Sequence, residues 1–339
     1  MKSVSGNSIV MKEINKNIVR NALKAERQAT KHELSQMTGL STVTVGTILQ
    51  ELTVENEAYE DERLPSGGGR PPKNYCYNGE FGHVIVIYTH EDMGEDKMFI
   101  SVANLFGECI YKQEEILIHP NLNTFESIID KLLEEYQTIK AIGFGMPGFE
   151  YNEVVTVHDY KEITGTRFTE HYKERYNLPV IFENDVNAAV AGYCTFNHIE
   201  RESAVVYIFF PEQYPPGAGI CINGNIYKGF TNFAGEVDQM PIGIDWRKID
   251  YDSFEATCDG ISKLVTSITC ILNPQEIILS GAFLTEQHVE KIKERCNKAL
   301  KDMFVPELQL SASFHIDYER GVIKSTLDLL TPKLSIYGE

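Results

Sequence analysis

The strongest constraint on this fold is an order of elements that the chain writes twice. After residue 80, "HVIVIY", "MFISVA" and "GECIYK" read as consecutive strands. "NTFESIIDKLLEEYQ" follows as a helix with Ile128, Ile129, Leu132, Leu133 and Tyr136 turned inward. "IKAIGFGMPG" is a buried strand ending in a Gly-Pro turn, and "RFTEHYKERY" is a helix. The order is βββαβα. It recurs in "SAVVYIFF", "GAGICI" and "NIYKG", with Asn223-Gly224 as the tight hairpin turn. A long helical stretch over about 252–272 comes next, then the strand "EIILSG" and the helix "EQHVEKIKERCNKALKDM". Two such lobes bring strand ends and helix N-termini together at a cleft, where ligands bind.

The first 77 residues follow a different rule. In "EINKNIVRNALK", Ile14, Ile18 and Ala22 recur every four residues, with Leu23 adjacent, so the spacing predicts an amphipathic helix over 13–24. Thr30 and Glu33 form a T-x-x-E capping box that starts a second helix, and Gly39 ends it. Ser41 is the N-cap of a third, whose Val45, Ile48, Leu49 and Leu52 line one face. Two helices across a tight glycine turn, behind a supporting helix, predict a helix-turn-helix whose third helix enters a major groove. Ser41, Thr42, Val43, Thr44, Gly46, Thr47 and Gln50 are then the candidate DNA contacts: small side chains for close approach and methyl contact, and one amide. A plain three-helix packing module is the alternative.

"LPSGGGRPPKNYCYN" follows. By composition it is a linker. After a helix-turn-helix it has a second use: Gly69 lets the backbone approach a narrow groove, Arg70 answers the minor groove's negative potential, and Lys73 contacts phosphate.

Charge is divided to match. The net charge of −18 argues against nucleic acid for the chain as a whole. Residues 1–77 hold 10 Lys and Arg against 9 Asp and Glu, whereas the rest holds 21 against 40. DNA contact is therefore expected only from the first segment. The chain has no run of eighteen apolar residues, and "MKSVSGNSIVMKEINKN" lacks the apolar core of a signal peptide, so a cytoplasmic protein is expected. The seven cysteines include no CxC or CxxC pair, which speaks against a zinc knuckle or a disulfide framework.

"LSTVTVGTILQEL" with "SGGGRPP", the doubled lobe order, "FENDVNAA" and "NFAGEVDQM" together resemble the ROK family of sugar-responsive repressors and sugar kinases, in its transcriptional-regulator branch. The resemblance covers nearly the whole chain. It implies an all-α winged helix-turn-helix head followed by an α/β actin-like (ribonuclease H-like) two-lobed sugar kinase fold. The head would be 1–77, the first lobe 78–190 and the second 191–319. The last helix, at about 320–330 within the segment 320–339, would pack back on the first lobe.

The resemblance also implies a division of the cleft. The sugar side matches the family: Asn184 and Asp185 stand in the family's catalytic stretch, Glu236 matches the sugar-binding glutamate, Gln239 falls where the family has a zinc-ligating histidine, and Asp159 sits near a sugar-contacting asparagine. The phosphate side does not match. "VIVIYTHEDMGEDKM" lacks the expected glycine pair, and "QYPPGAG" sets Gln213 and Pro215 against the first two glycines, with Pro216 before the surviving Gly217-Ala218-Gly219. Proline offers no N–H and none of glycine's conformations. Of the adenosine-side glycines, Gly281 remains. The family's cysteine-rich zinc loop is missing. The expectation is a sugar-responsive DNA-binding regulator, a repressor without kinase activity, with Asp185 as a vestigial catalytic residue. No metal and no cofactor are expected. Its partners would be operator DNA, a sugar or sugar derivative, and a second copy in a homodimer or dimer of dimers. An ATP-dependent ROK sugar kinase is the alternative, and an Asp185 that serves only its own helix N-terminus is the plain structural reading.

Overall fold

A computed structural model describes residues 4–61, 73–92, 94–157, 160–197, 199, 203–212, 214–301, 304–311 and 313–331. The head comprises α1 (Val4–Glu26), β1 (Gln28–Thr30), α2 (Lys31–Thr38), α3 (Thr42–Val54), β2 (Ala58–Asp61) and β3 (Asn74–Tyr77). The caps form as the sequence dictates. Thr30 Oγ1 accepts from the Glu33 N–H while Glu33 reaches back to Thr30, and Gly39 closes α2 at φ 69°. Ser41 accepts from the Thr44 N–H at the start of α3. Helix α1 begins earlier than its apolar stripe, because no proline interrupts 4–12; Val10 and Met11 on that extension are exposed. The head also carries a three-stranded antiparallel sheet in the order β1-β3-β2. The helical reading had not resolved these short strands. Residues 62–72, between β2 and β3, include Gly69 and Arg70 and lie outside the described residues.

The first lobe contains β4 (His83–Asp92), β5 (Glu95–Asn104), β6 (Cys109–Ile116), α4 (Glu126–Glu135), β7 (Ile139–Met146), a small hairpin of β8 (Phe149–Tyr151) and β9 (Val154–Thr156), α5 (Phe168–Tyr176), β10 (Val180–Asn184) and α6 (Asp185–Phe196). The second contains β11 (Ala204–Phe209), β12 (Gly217–Ile222), β13 (Asn225–Ile226), α7 (Phe254–Leu272), β14 (Glu276–Ser280), α8 (Glu286–Leu300), β15 (Glu307–Leu310) and α9 (Phe314–Asp328). The two large sheets have orders β10-β7-β4-β5-β6 and β13-β12-β11-β14-β15. In each, three antiparallel strands are extended by two parallel ones. The duplication is thus a duplication of topology, and its fifth strands are β10 and β15.

The layers run α4 and α5, first sheet, α6 with α9, second sheet, α7 and α8. Three apolar cores separate them: one under α4 and α5, one under α7 and α8, and a central one where α6 and α9 lie between the sheets. The last helix does pack on the first lobe, against β4, β7 and β10. It starts at Phe314 rather than near 320. Helices α6 and α9 cross almost backbone to backbone. A Cβ at Gly321 would lie 1.7 Å from the Ala188 carbonyl oxygen, and one at Gly192 would lie 2.0 Å from that of Asp317.

Helix α9 also reaches the head. Leu327 and Leu330 pack into the core built by Val19, Leu23, Leu34, Val45, Ile48 and Leu49, together with Leu105 and Phe106 from the β5–β6 turn. Arg27 stacks over Phe106 at 4.5 Å and pairs with Glu108 at 2.6 Å. No helix among the described residues is long and apolar enough to cross a membrane.

Candidate functional site

Two surfaces carry chemistry: a cleft at the cleft-facing ends of both sheets, and the exposed face of α3. The cleft has a volume of about 1080 Å³. Its floor is the start of α6. Asn184 is the N-cap there. Its Oδ1 accepts from the N–H groups of Val186 and Asn187, both at 3.0 Å, and its Nδ2 donates to the Gly148 carbonyl at 3.1 Å. Asn184 is therefore largely spent on structure. Asp185, the next residue, is half-buried and faces the cleft. It lies close enough to Tyr318 of α9 to add to the effect of burial, which drives that phenol far above its usual range.

Glu236 and Gln239 line the opposite wall, on the loop after β13. Gly235 fixes that loop: at φ 107° a side chain there would meet the Ala218 carbonyl at 1.9 Å. Gln239 donates to Asp238 at 2.6 Å. Four of the five residues expected on the sugar side thus share one cleft; the fifth, Asp159, lies outside the described residues. Glu91, Asp96, Glu212 and Asp238 also face the cleft, against Arg247. Burial pushes the Asp96 carboxyl up. A cavity so lined repels polyphosphates and suits neutral, hydroxyl-rich molecules.

The phosphate side is built of other things. Strands β4 and β5 pair without interruption to Asp92↔Glu95, through the place where a glycine loop would cradle phosphate. The surviving Gly217-Ala218-Gly219 is strand, and the Ala218 N–H donates to the Gly235 carbonyl at 2.8 Å. Gly219 has a packing reason: its Cβ would lie 2.3 Å from the Val186 carbonyl of α6. Beside Gly281, the rings of Tyr251 and Phe283 sit 4.5 Å apart, and Phe210 packs on Trp246. The Phe209 and Phe314 rings stack nearby at 3.6 Å. Nor do the residues fit a zinc site. Gln239 is no zinc ligand of the usual kind, Cys258 is buried in the core under α7, and no three His, Cys, Asp or Glu among the described residues converge.

The sequence reading missed several cleft residues. Among the described residues, five buried side-chain polar atoms lack a hydrogen-bond partner: Thr89 Oγ1, Asn187 Oδ1, Trp246 Nε1, Tyr251 OH and Tyr318 OH. The first four belong to residues lining the cleft. Buried polar groups are normally paired, so their gathering in one place marks a ligand-facing surface. Asn187 had a local signal, being three residues after Asn184 on the same helical face. Trp246 and Tyr251 had none.

On the head, Ser41, Thr42, Val43, Thr47 and Gln50 are exposed, with Val43 73% exposed, while Thr44 and Gly46 are half-buried. Three hydroxyls are engaged: Ser41 caps α3 and shares a hydrogen bond with the Thr44 hydroxyl at 2.9 Å, and Thr47 donates to the Val43 carbonyl at 3.1 Å. Gly46 serves Lys31, whose Nζ lies 2.5 Å from where a Cβ would be. Five basic residues of the head are tied up in ion pairs: Lys12 with Glu51, Lys16 with Glu55, Arg20 with Glu57, Arg27 with Glu108 and Lys73 with Glu60. Lys73 is therefore held on the β2–β3 sheet. Lys31 is the exposed cation set beside α3, and the sequence reading had passed over it.

The ROK family model matches residues 88–259. The xylose repressor of Caldicellulosiruptor bescii is 27% identical over 248 residues, covering 70% of this chain and 61% of that protein. The xylose repressor of Bacillus subtilis is 24% identical over 247 residues, covering 70% and 63%. The chain thus spans less than two thirds of the length of these relatives. Among solved structures, a ROK family transcriptional regulator described as a homolog of the Escherichia coli MLC protein superposes with a TM-score of 0.70 at 16% identity, over 95% of this chain and 98% of that one. The ROK hexokinase of Thermus thermophilus superposes with a TM-score of 0.60 at 15% identity, over 73% and 99%. The doubled lobe, the cleft and a family match that spans half of the chain lead to one statement: this protein is a member of the ROK family.

Proposed function

We propose that the chain is a sugar-responsive, DNA-binding transcriptional repressor, cytoplasmic and paired with a second copy, whose kinase-like lobes sense a sugar without phosphorylating it. The observation that carries this reading is the shared core of head and body. The core of α1, α2 and α3 takes in Leu327 of α9 and Leu330 just beyond it, and at the other end of α9 Phe314 stacks on Phe209 of the cleft. Two relatives named as xylose repressors support it. So does a phosphate side made of continuous strand, proline and aromatic rings. The head reads DNA with Ser41, Thr42, Val43, Thr44, Gly46, Thr47 and Gln50, and Lys31 contacts phosphate. Gly69 and Arg70 keep their wing role within this proposal, and Lys73 reaches phosphate only by giving up its Glu60 partner. Asn184, Asp185, Glu236, Gln239 and Asp159 make the sugar side. A sugar that binds one lobe arrangement better than another shifts the spacing of paired heads, and with it operator affinity.

The test is selection of bound DNA from random sequence at fixed salt, with and without candidate sugars. Enrichment of a repeated half-site, with retention changed about tenfold or more by one sugar, is expected. No enrichment sinks the reading. The placement of Asp185 on the cleft floor favours a second one, a sugar kinase. ATP-dependent phosphorylation of a sugar, lost in Asp185→Asn, would establish it.

A further inference from the structure

Behind the cleft floor, a recess of about 140 Å³ opens between β10, α6 and the loop after β13. It shares Phe149, Asn184, Asn187 and Asn232 with the cleft, so the two are continuous. Its lining is polar except for Phe149 and Phe182. Lys228 there donates to Glu183 Oε2 and makes an ion-pair contact with Oε1, each at 2.8 Å, and the Asn184 backbone N–H donates to Glu183 Oε1. Glu183 is 2% exposed and its acceptors are well used, so the pair is fixed, and Lys228 keeps a further N–H for the recess.

Asn187 stands at the mouth. It is 5% exposed, and its Oδ1 is buried without a partner. Asn184 on the same face has its amide committed to the backbone, so Asn187 is the amide of α6 left to meet a ligand. Turning the amide over presents either its oxygen or its NH₂ to the recess, which matches a hydroxyl, a group that both donates and accepts. A carboxylate or phosphate would face Glu150 and Glu183 against one lysine. The volume is about four or five waters' worth, ample room for a two-atom arm.

We propose that this recess, gated by Asn187 and backed by the Lys228–Glu183 pair, receives the exocyclic hydroxymethyl arm of the bound sugar, so that the effector is a hexose rather than a pentose. This rests on the sugar-sensing reading above.

The experiment is calorimetric titration of the full chain with sugars matched except for the arm: D-glucose against D-xylose, D-galactose against L-arabinose, and D-mannose against D-lyxose. In at least one pair the hexose should bind about tenfold or more tighter, since a site built for a hydroxyl rejects the analogue that lacks it. Asn187→Leu should bring that ratio close to one by weakening the hexose about tenfold or more. Asn187→Ser, which keeps a hydroxyl in place of the amide, should be intermediate, and it carries the test if the leucine variant does not fold. A pentose that binds as tightly as its hexose in every binding pair overturns the proposal, as does a ratio unchanged in both variants. If no sugar of any pair binds, the sugar-sensing reading falls and this inference falls with it.

Discussion

At Asn184 the side-chain oxygen accepts from two backbone N–H groups, so replacing it removes a helix cap before it removes anything a ligand would feel. Asn184→Ala should cost about 1–2 kcal/mol in urea denaturation. Asp185→Asn should cost less than about 1 kcal/mol, the range of a charge at a helix start, yet abolish the sugar's calorimetric signal. If the two variants lose stability and ligand in the same proportion, the division of labour is wrong. Lys31 makes a separate prediction on the head. Lys31→Ala should weaken DNA binding about equally across sequences and lower the slope of log affinity against log salt by about one. An unchanged slope would remove Lys31 from the interface.

The α6–α9 crossing is where a single methyl group has the largest structural consequence. Gly321→Ala must push the two helices apart, because the new Cβ would sit 1.7 Å from a backbone carbonyl rather than from a side chain that can swing away. A loss of about 1–3 kcal/mol is expected by urea denaturation. In DNA-binding titrations, the change in operator affinity on adding sugar should shrink as well. Elements of this length were legible in the sequence. Of the head helices, α2 and α3 carried their own caps, and α1 and α4 their own apolar stripes, so local chemistry was enough to find them. The three- and four-residue strands β1, β2 and β3 were not legible as such, since pairing with distant partners makes them strands and nothing in "QAT" says so. The cleft shows the same division. Asn184, Asp185, Glu236 and Gln239 sat in recognisable stretches, whereas Lys228 gains meaning only from Glu183, 45 positions away. Gly217 and Gly219 lie in the strand that "GAGICI" announced, but their reason, the close packing of α6 at Val186, was not legible.

Taken whole, the molecule has its ligand-facing cleft at one end of α9 and its head at the other. Cores that run into one another through Leu327 and Leu330 should melt together. Calorimetry should show head and lobes unfolding in one transition. Leu327→Ala, at a cost of about 2–5 kcal/mol for a well-buried leucine and less for one partly exposed, should split off an earlier head transition. Two transitions already present in the unmutated chain would mean that the head hangs loosely, and that α9 transmits little.

The same helix sets a timetable. A ribosome delivers the three head helices first, and α9 only after both lobes have emerged. Until then the head lacks Leu327 and Leu330, and Leu105 and Phe106 cover only part of its apolar floor. A nascent or prematurely terminated chain therefore carries a head with part of its apolar floor uncovered. The same contact ties the head's completion to the far end of the chain, in that only a polypeptide translated through α9 and Leu330 has the apolar floor of its head covered.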